Sequence, residues 1–406
     1  MKLLMMRPTY TPEISGGTHL AYDLVEDFIA AGWEVEVITP ISEKYIDQVD
    51  ENKDNCKVHR IVSKYKKSNV INRVLRFIDI SLKMKKEAKK IKDADIIMTH
   101  SMPPLLGKIG ARLAKKKKVP SLYWEQDIVS NSIISTGIMG KAGFKQKLAF
   151  KVAKNLEVKA ERKSTHIVTI SEEFKKMHLN RGINDEKVDV VYNWIDTNQV
   201  YPVEKCDNPL YERLGIPTDK FIVSYCGNLG VPQNVEIMID AAEMLQDNKD
   251  ILFVIIGGGS REKKVREYVQ SKGLSNLLFL PLQPLDEAHL VYSVGDVGLV
   301  IGKRGTSKNG FPSKTWSIMS AAQAMIACFD EESELCSFVK EGNCGLAISP
   351  DDPDALASAI TTMYENQEAT KQMGKNAREY VESNFNRTQA TKKIIDIAKK
   401  LAEENK

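Results

Sequence analysis

The sequence predicts an α/β protein built from two doubly wound domains in tandem. Three observations support this. The 406 residues are 42% hydrophobic and 28% charged, a globular composition with more chain than one ordinary domain uses. Short apolar runs alternate with amphipathic helical stretches, the pattern of a parallel sheet. That alternation breaks once, over the polar, proline-containing stretch 197–219, and then starts again.

Taken in order, "MKLLMM" is a first strand. Its apolar run stops at Arg7-Pro8, too short for the core of a signal peptide. "GTHLAYDLVEDFIAAG" places Leu20, Leu24, Phe28 and Ile29 at helical spacing and ends at Gly32. "WEVEVITP" alternates as a strand does, completing a β-α-β opening. "ADIIMTH", "VPSLYWE", "THIVTIS" and "VDVVYN" continue the series. After the break come "KFIVSYCGNLG", "ILFVIIGGG", "LLFLP", "VGLVIG" and "MIACF" as strands. The helices between them include "VEIMIDAAEMLQD", "REKKVREYVQSKG", "SKTWSIMSAAQ" and a helix opening at Asp352-Pro353. The expected organisation is a first domain over 1–200, a linker over 201–219 and a second domain over 220–385. A C-terminal helix over 386–406 is expected to pack back toward the first domain. Two such domains facing across a cleft bind ligands beyond the carboxyl ends of their strands.

Composition narrows the function. No stretch approaches 18 uncharged apolar residues, so no spanning helix is expected. The six cysteines form no CxxC pair and read as reduced thiols of a cytoplasmic protein. Cys328, Cys336 and Cys344 have no histidine near them in sequence, and no metal site is expected. The net charge of +4 hides an asymmetry. Residues 1–200 hold 35 Lys and Arg against 25 Asp and Glu, whereas the rest holds 23 against 29. The excess peaks over 51–163, with 28 against 10, so an anionic partner is expected on that face.

Gly16-Gly17 follows a strand and opens a helix, where backbone N–H groups and the helix dipole favour an anion. "GNLG" (227–230) and "GGG" (257–259, with Gly258 at its centre) stand at equivalent strand ends. Neither a GxGxxG nor a GxxxxGK[ST] motif is present, which disfavours a nicotinamide dehydrogenase and a P-loop enzyme. By themselves, the three loops are equally explained as turns that cap helices.

The order and spacing of four segments resemble the family 4 retaining glycosyltransferases of the GT-B fold, particularly bacterial enzymes of capsule, exopolysaccharide and O-antigen synthesis. The segments are "SGGTHLAYDLVEDFIAAGWEVEVIT", "TISEEFKKMHLNRGINDEKVDVVYNWID", "VSYCGNLGVPQNVEIMIDAAEML" and the run from "PSKTWSIMSAAQ" to "DDPDALASAI". The resemblance implies that the second domain binds a nucleotide-sugar, usually a UDP-sugar, and that the first binds the acceptor. Gly16 and Gly17 would then form the first domain's lip over the donor diphosphate. Transfer would retain anomeric configuration without a cofactor or metal, and a donor phosphate oxygen would take the acceptor proton.

The chain also departs from the family pattern. An Arg and a Lys common after the first strand of the second domain are replaced by Asn228 and Gln233. The Glu-x7-Glu pair is replaced by Asn309 and Ser317, where the second Glu usually holds the ribose. A His common in the first domain aligns with Gln126 or Asp127. In compensation, "GKRGTSKNGFPSK" supplies Lys303, Arg304, Lys308, Ser313 and Lys314, chemistry suited to a leaving diphosphate. Lys314 fits the family's "PSK" lysine. Asp127 is a candidate for orienting acceptor or sugar hydroxyls, Glu334 for the donor, and His100 and Gln126 for the acceptor. Each has a bland alternative: a solvated basic loop, a helix cap, or a structural histidine.

The stretch 71–92 places Ile71, Val74, Leu75, Ile78 and Leu82 at helical spacing, with a Lys- and Arg-rich opposite side. It reads as a helix lying on the anionic inner face of the membrane near a lipid-linked acceptor, or as a core helix with a basic back. Nucleic acid is disfavoured, since no binding motif accompanies the charge. The leading function is a glycosyltransferase extending a lipid-linked or surface glycan. The competing one is a catalytically weak nucleotide-binding or partner subunit that kept the fold.

Overall fold

In the computed structural model, residues 1–13, 17–48, 55–65, 70–131 and 144–405 are described. The chain divides into two compact units. The first comprises Met1–Asn193 and the C-terminal helix from Thr388; the second comprises Trp194–Arg387.

The first unit runs β1 (Lys2–Met6), α1 (Thr18–Ala30), β2 (Glu34–Pro40), β3 (Cys56–Ile61), α2 (Val70–Ala88), β4 (Ile96–His100), α3 (Pro104–Lys117) and β5 (Ser121–Trp124). It continues with α4 (Phe144–Lys163), β6 (His166–Thr169), α5 (Glu172–Asn180) and β7 (Val188–Val190). The strands are parallel in the order β3-β2-β1-β4-β5-β6-β7. Strands buried on both faces need apolar side chains throughout, which is why β1 and β4 read as unbroken apolar runs. Leu4, Met6, Ile38 and Ile97 share one core with Leu106 and Leu113 of α3 and with Ile80, Met84 and Ala88 of α2.

The second unit runs α6 (Leu210–Leu214), β8 (Phe221–Asn228), α7 (Glu236–Met244), β9 (Ile251–Gly258), α8 (Glu262–Lys272), β10 (Leu277–Leu280), α9 (Ala288–Tyr292) and β11 (Val297–Ile301). It continues with α10 (Lys314–Ser320), β12 (Ala324–Cys328), α11 (Glu334–Glu341), β13 (Gly345–Ile348), α12 (Pro353–Glu365) and α13 (Gln367–Asn384). Its parallel sheet has the order β10-β9-β8-β11-β12-β13.

The structure redraws one expected boundary. Residues 201–219 are not a linker but part of the second unit's core. Leu210, Tyr211 and Ile216 pack with Ile222, Val254 and Val294. The Tyr211 hydroxyl donates to Val294 O at 2.5 Å and Asn208 Nδ2 to Leu290 O at 2.8 Å. The segment is polar in sequence because only these few side chains turn inward. Arg378 fastens its start, donating from Nη1 to Val200 O (3.0 Å) and Ser320 O (2.6 Å) and from Nη2 to Thr197 O (3.0 Å). The last helix, α14 (Arg387–Glu404), buries Ile394, Ala398 and Ala402, and Lys393 Nζ donates to Val190 O of the first unit at 3.0 Å.

On α2 the core-facing side is Ile80, Met84 and Ala88. The five residues at the expected apolar spacing, Ile71, Val74, Leu75, Ile78 and Leu82, are all exposed, Ile71 to 71%.

Candidate functional site

In the second unit the strand order reverses between β8 and β11, the position at which sheets of this kind hold ligands. β8 ends in Gly227 and Asn228, with Asn228 in register with Gly258 at the end of β9. Lys314, the first residue of α10, points back toward β8. Its Nζ lies 3.4 Å from the centroid of the Tyr225 ring, and a Cβ on Gly227 would stand 3.6 Å from it. This Nζ is buried and has no hydrogen-bond partner among the described residues. An ammonium carries three donors, and an aromatic face offsets only part of its lost hydration. Burial accordingly lowers the Lys314 pKa to about 7. A buried cation without an anion is a site that an anionic ligand completes.

The surrounding loops are pinned by backbone contacts. Gly230 N donates to Gln233 Oε1 at 3.2 Å, and the Tyr225 hydroxyl donates to Asn228 O at 2.8 Å. The Asn228 amide lies between two glycines. A Cβ on Gly230 would stand 2.8 Å from Asn228 Nδ2, and one on Gly259 would stand 2.5 Å from its Oδ1. Lys303 N donates to Pro232 O (2.9 Å) and Arg304 N to Asp351 Oδ2 (3.1 Å). Gly305 N donates to Asp330 Oδ1 at 2.8 Å, and Ser307 N donates to Asp330 Oδ2 at 3.3 Å. The loop backbone is thereby held while the Arg304 and Lys308 side chains face solvent.

Ser313 is exposed just before α10 and makes no side-chain cap, while Ser317 is half-buried; burial raises the Tyr292 pKa and Ser317 acts against that rise. Glu334 opens α11 at the carboxyl end of β12, with Ser333 as its N-cap, Oγ accepting from Cys336 N at 3.4 Å. The Asn309 side chain lies outside the described structure, as does Gly16.

In the first unit the reversal falls between β1 and β4. His100 ends β4, in register with Trp124 at the end of β5, and the two rings meet edge to face at 6.2 Å. His100 Nδ1 accepts from Met102 N at 3.0 Å, which leaves the ring proton on Nε2. Burial first, then the Arg7 charge, holds His100 well below its ordinary pKa. Gln126 and Asp127 both donate their N–H groups to Ser101 Oγ at 3.2 Å. Asp127 keeps an exposed surface, yet enclosure by protein and then the Glu125 charge raise its pKa.

A buried charge network lies behind this loop. His178 Nε2 is 2.6 Å from Glu125 Oε2 and its Nδ1 is 3.5 Å from Glu161 Oε2. Arg181 pairs with Glu161 and stands 3.7 Å from Glu157, which accepts from Ser130 N (2.8 Å) and Ser130 Oγ (2.6 Å). Burial alone would keep the imidazole neutral, but Glu125 and Glu161 outweigh it and raise His178 to about 10. Ligand atoms of Glu125, Glu161 and His178 lie within 4.8 Å of one another, the one group among the described residues close enough for a metal ion. His178 and Arg181 already neutralise these carboxylates, so the group stands as a charge-balanced ion network, with Glu125 Oε1, Glu161 Oε2 and His178 Nδ1 lacking a hydrogen-bond partner among the described residues.

The family described as Glycosyltransferase Family 4 matches residues 14–199, and that described as Glycosyl transferases group 1 matches 209–380. Together the two matches span most of the chain. This is a family 4 glycosyltransferase of the GT-B fold. A relative from Escherichia coli, named a colanic acid biosynthesis glycosyl transferase (WcaI), is 28% identical over 89% of this chain and 91% of its own. Sucrose-phosphate synthase from Thermosynechococcus elongatus superposes with a TM-score of 0.79 at 17% identity, covering 99% of both chains. Anabaena Alr3699/HepE, solved in complex with UDP and glucose, superposes with a TM-score of 0.76 at 17% identity, covering 98% of this chain and 100% of that one.

Within this glycosyltransferase the structure brings Asn228, Gln233, Gly258, Lys303 and Lys314 to the carboxyl ends of the second unit's strands. Ser317 faces Tyr292, and Ser313 and Arg304 face solvent. Two features had no signal in the order of residues. One is Tyr225 as the floor beneath Lys314. The other is Arg7, which follows β1 and is only 2% exposed.

Proposed function

We propose that this glycosyltransferase moves a sugar from a UDP-sugar to a lipid-linked or surface-glycan acceptor in polysaccharide biosynthesis, with retention of configuration. The observation that carries the donor reading is the buried, partnerless Lys314 Nζ at the end of β8. The diphosphate takes the position that completes this ammonium, with Lys303 and Arg304 adding charge from the pinned loop. The bond from the sugar's anomeric carbon to the diphosphate oxygen breaks. A bond from that carbon to an acceptor hydroxyl oxygen forms, and the proton passes to the leaving diphosphate. Protein cations neutralise the leaving group in this reading, so turnover survives chelators. Asp127 orients acceptor hydroxyls. The colanic acid relative supports the polysaccharide assignment, and HepE supports UDP.

The acceptor side of the reading places α2 against the inner face of the membrane. Its stripe Ile71, Val74, Leu75, Ile78 and Leu82 is exposed, and Arg73, Lys83, Lys85 and Lys86 share the helix. An apolar stripe on a basic helix suits an anionic bilayer. Ile78→Asp with Leu82→Asp is expected to abolish binding to vesicles containing anionic lipid while leaving UDP binding intact.

The competing reading, a catalytically weak partner subunit, rests on the neutral Asn228, Gln233, Asn309 and Ser317. A thermal-shift panel of UDP, GDP, ADP, CMP and NAD followed by turnover with UDP-sugars separates the two. Selective UDP stabilisation with turnover supports the transferase. Stabilisation without transfer or hydrolysis of any UDP-sugar supports the partner.

A further inference from the structure

Two carboxylates of the second unit are turned onto backbone. Asp330 follows β12 and is buried. Gly305 N donates to its Oδ1 at 2.8 Å and to its Oδ2 at 2.9 Å, and Ser307 N donates to Oδ2 at 3.3 Å. Asp351 stands in the exposed turn after β13. Its Oδ2 accepts from Arg304 N at 3.1 Å and its Oδ1 from Asn234 Nδ2 at 2.7 Å. Of the four N–H groups from Arg304 to Ser307, three therefore end on a carboxylate. The fourth, Thr306 N, donates back to Lys303 O at 3.0 Å, as does the Thr306 hydroxyl at 2.6 Å.

This firmly held turn is basic. Residues 303–308 include Lys303, Arg304 and Lys308. Like charges repel, and a turn held only by its own backbone would let them spread. Both carboxylates are engaged by N–H groups, which leaves the cationic side chains of the turn directed outward, Arg304 and Lys308 into solvent. The same bonds tie four strand ends together. Asp330 holds the loop after β11 from the end of β12. Asp351 joins that loop, from the end of β13, to Asn234 in the loop after β8, and Lys303 N reaches Pro232 O at 2.9 Å. β8 and β11 are the strands between which the order reverses. The loop 228–234 carries no cation of its own, so the held turn is the one that brings positive charge to this junction beside Lys314. Cations fixed in place need no reorganisation when an anion arrives.

We infer that Asp330 and Asp351 are positioning residues for the donor diphosphate: by holding the N–H groups of Arg304, Gly305 and Ser307 they fix the turn that presents Lys303 and Arg304 at the strand-order reversal. The inference rests on the proposed donor reading. In this role neither carboxylate touches the ligand; both act through the turn. Charge alone predicts the opposite sign, since a carboxylate near a diphosphate repels it and its removal would tighten binding. Weaker binding on removal therefore reports geometry.

The test measures UDP and UMP binding to the full chain by calorimetry at constant ionic strength. UMP lacks the terminal phosphate and serves as the internal control. The wild type is expected to prefer UDP. Asp330→Ala is expected to weaken UDP about tenfold and UMP by less than about twofold. Asp351→Gly removes both acceptors at a φ of 61°, which glycine adopts freely, and should weaken UDP about threefold with UMP again little changed. It decides the matter if Asp330→Ala fails to fold. A thermodynamic cycle then asks whether the carboxylates act through the cations. In a background of Lys303→Met with Arg304→Met, either carboxylate variant should change UDP affinity by less than about twofold. Equal losses for UDP and UMP, unchanged or tighter UDP binding in the variants, or an undiminished effect in the cation-free background overturns the inference. A wild type that binds UDP no tighter than UMP overturns the diphosphate reading and this inference with it, whereas a UDP preference that survives the variants overturns this inference alone.

Discussion

Lys314 makes the donor reading testable through protons. In the free protein its pKa is lowered from 10.5 to about 7, because its ammonium is buried over Tyr225 without an anion. At pH 8 such a group is about 90% neutral. A diphosphate placed against it restores the charged form, so UDP binding at pH 8 is expected to take up about 0.9 proton, whereas at pH 6 the Lys314 share falls to about 0.1 and the half-protonated terminal phosphate releases protons against it. The terminal phosphate of UDP is already ionised at pH 8 and adds little. Calorimetry in buffers of different ionisation enthalpy measures the uptake directly. The sign for stability follows from the same shift. The folded-state pKa lies below the unfolded one, so the unfolded chain binds more protons between pH 7 and 10.5, and this residue's contribution becomes less unfavourable as pH rises. Between pH 7 and 9 the relief is about 2 kcal/mol. Lys314→Met removes the cost, so the variant should unfold later than wild type at pH 7 with a narrower margin at pH 9, while its UDP affinity collapses. UDP binding at pH 8 without proton uptake, unchanged in Lys314→Met, would refute the argument.

Three further expectations follow from the packing. His178→Gln leaves Glu125 and Glu161 short of a buried cation and should cost about 3–5 kcal/mol in urea unfolding at pH 6. Because the His178 pKa is raised to about 10, that contribution is full below its unfolded value of 6.5 and fades as pH climbs toward 10. The gap between wild type and variant should therefore be smaller at pH 9. Gly257→Ala would set a Cβ 2.4 Å from Gly227 O, forcing apart the ends of β8 and β9. A stability loss of about 1–3 kcal/mol with weakened UDP binding is expected, since Gly227 borders Lys314. Arg378→Ala releases three backbone carbonyl contacts, two at the start of the 194–219 segment (Thr197 and Val200) and one at Ser320. It should lower stability by about 3 kcal/mol in thermal unfolding and leave UDP affinity unchanged.

The strands that stand out in the sequence as unbroken apolar runs are those buried on both faces. β1, β4, β8, β9, β11 and β12 are apolar runs because the sheet interior leaves no alternative. The two strands that escape reading, β3 and β13, are sheet edges. β3 carries Lys57, His59 and Arg60, and β13 is four residues long and only half-buried. An edge strand has one neighbour and one partly open face, so its side chains are free to be polar. On α2, periodicity marks Ile71, Val74, Leu75, Ile78 and Leu82 as one face but does not say what covers it. The core takes Ile80, Met84 and Ala88 instead. Likewise 201–219 looks like a linker because a polar stretch buries its few apolar side chains at irregular spacing.

The site divides along the same line. The glycines at strand ends and Lys314 at a helix start are local features, so sequence order points to them. What makes them chemically meaningful is not local. Lys314 is informative because its ammonium meets an aromatic face 89 residues earlier and no hydrogen-bond partner among the described residues. Arg7, His100 and Trp124 become neighbours only because β4 inserts beside β1 and β5 follows it. In the sequence Arg7 merely ends an apolar run ahead of a proline. His178 sits in the last turn of α5, in "FKKMHLN", with nothing to mark Glu125 and Glu161 as its partners. Charge is the property composition reports most plainly, and counting it locates the basic half of the chain. Counting cannot tell a solvated lysine from a buried arginine that lacks a counter-ion. In this protein the strongest signals are of the second kind: cations kept in the interior at two strand-order reversals, Arg7 Nη1 and Lys314 Nζ each without a hydrogen-bond partner among the described residues.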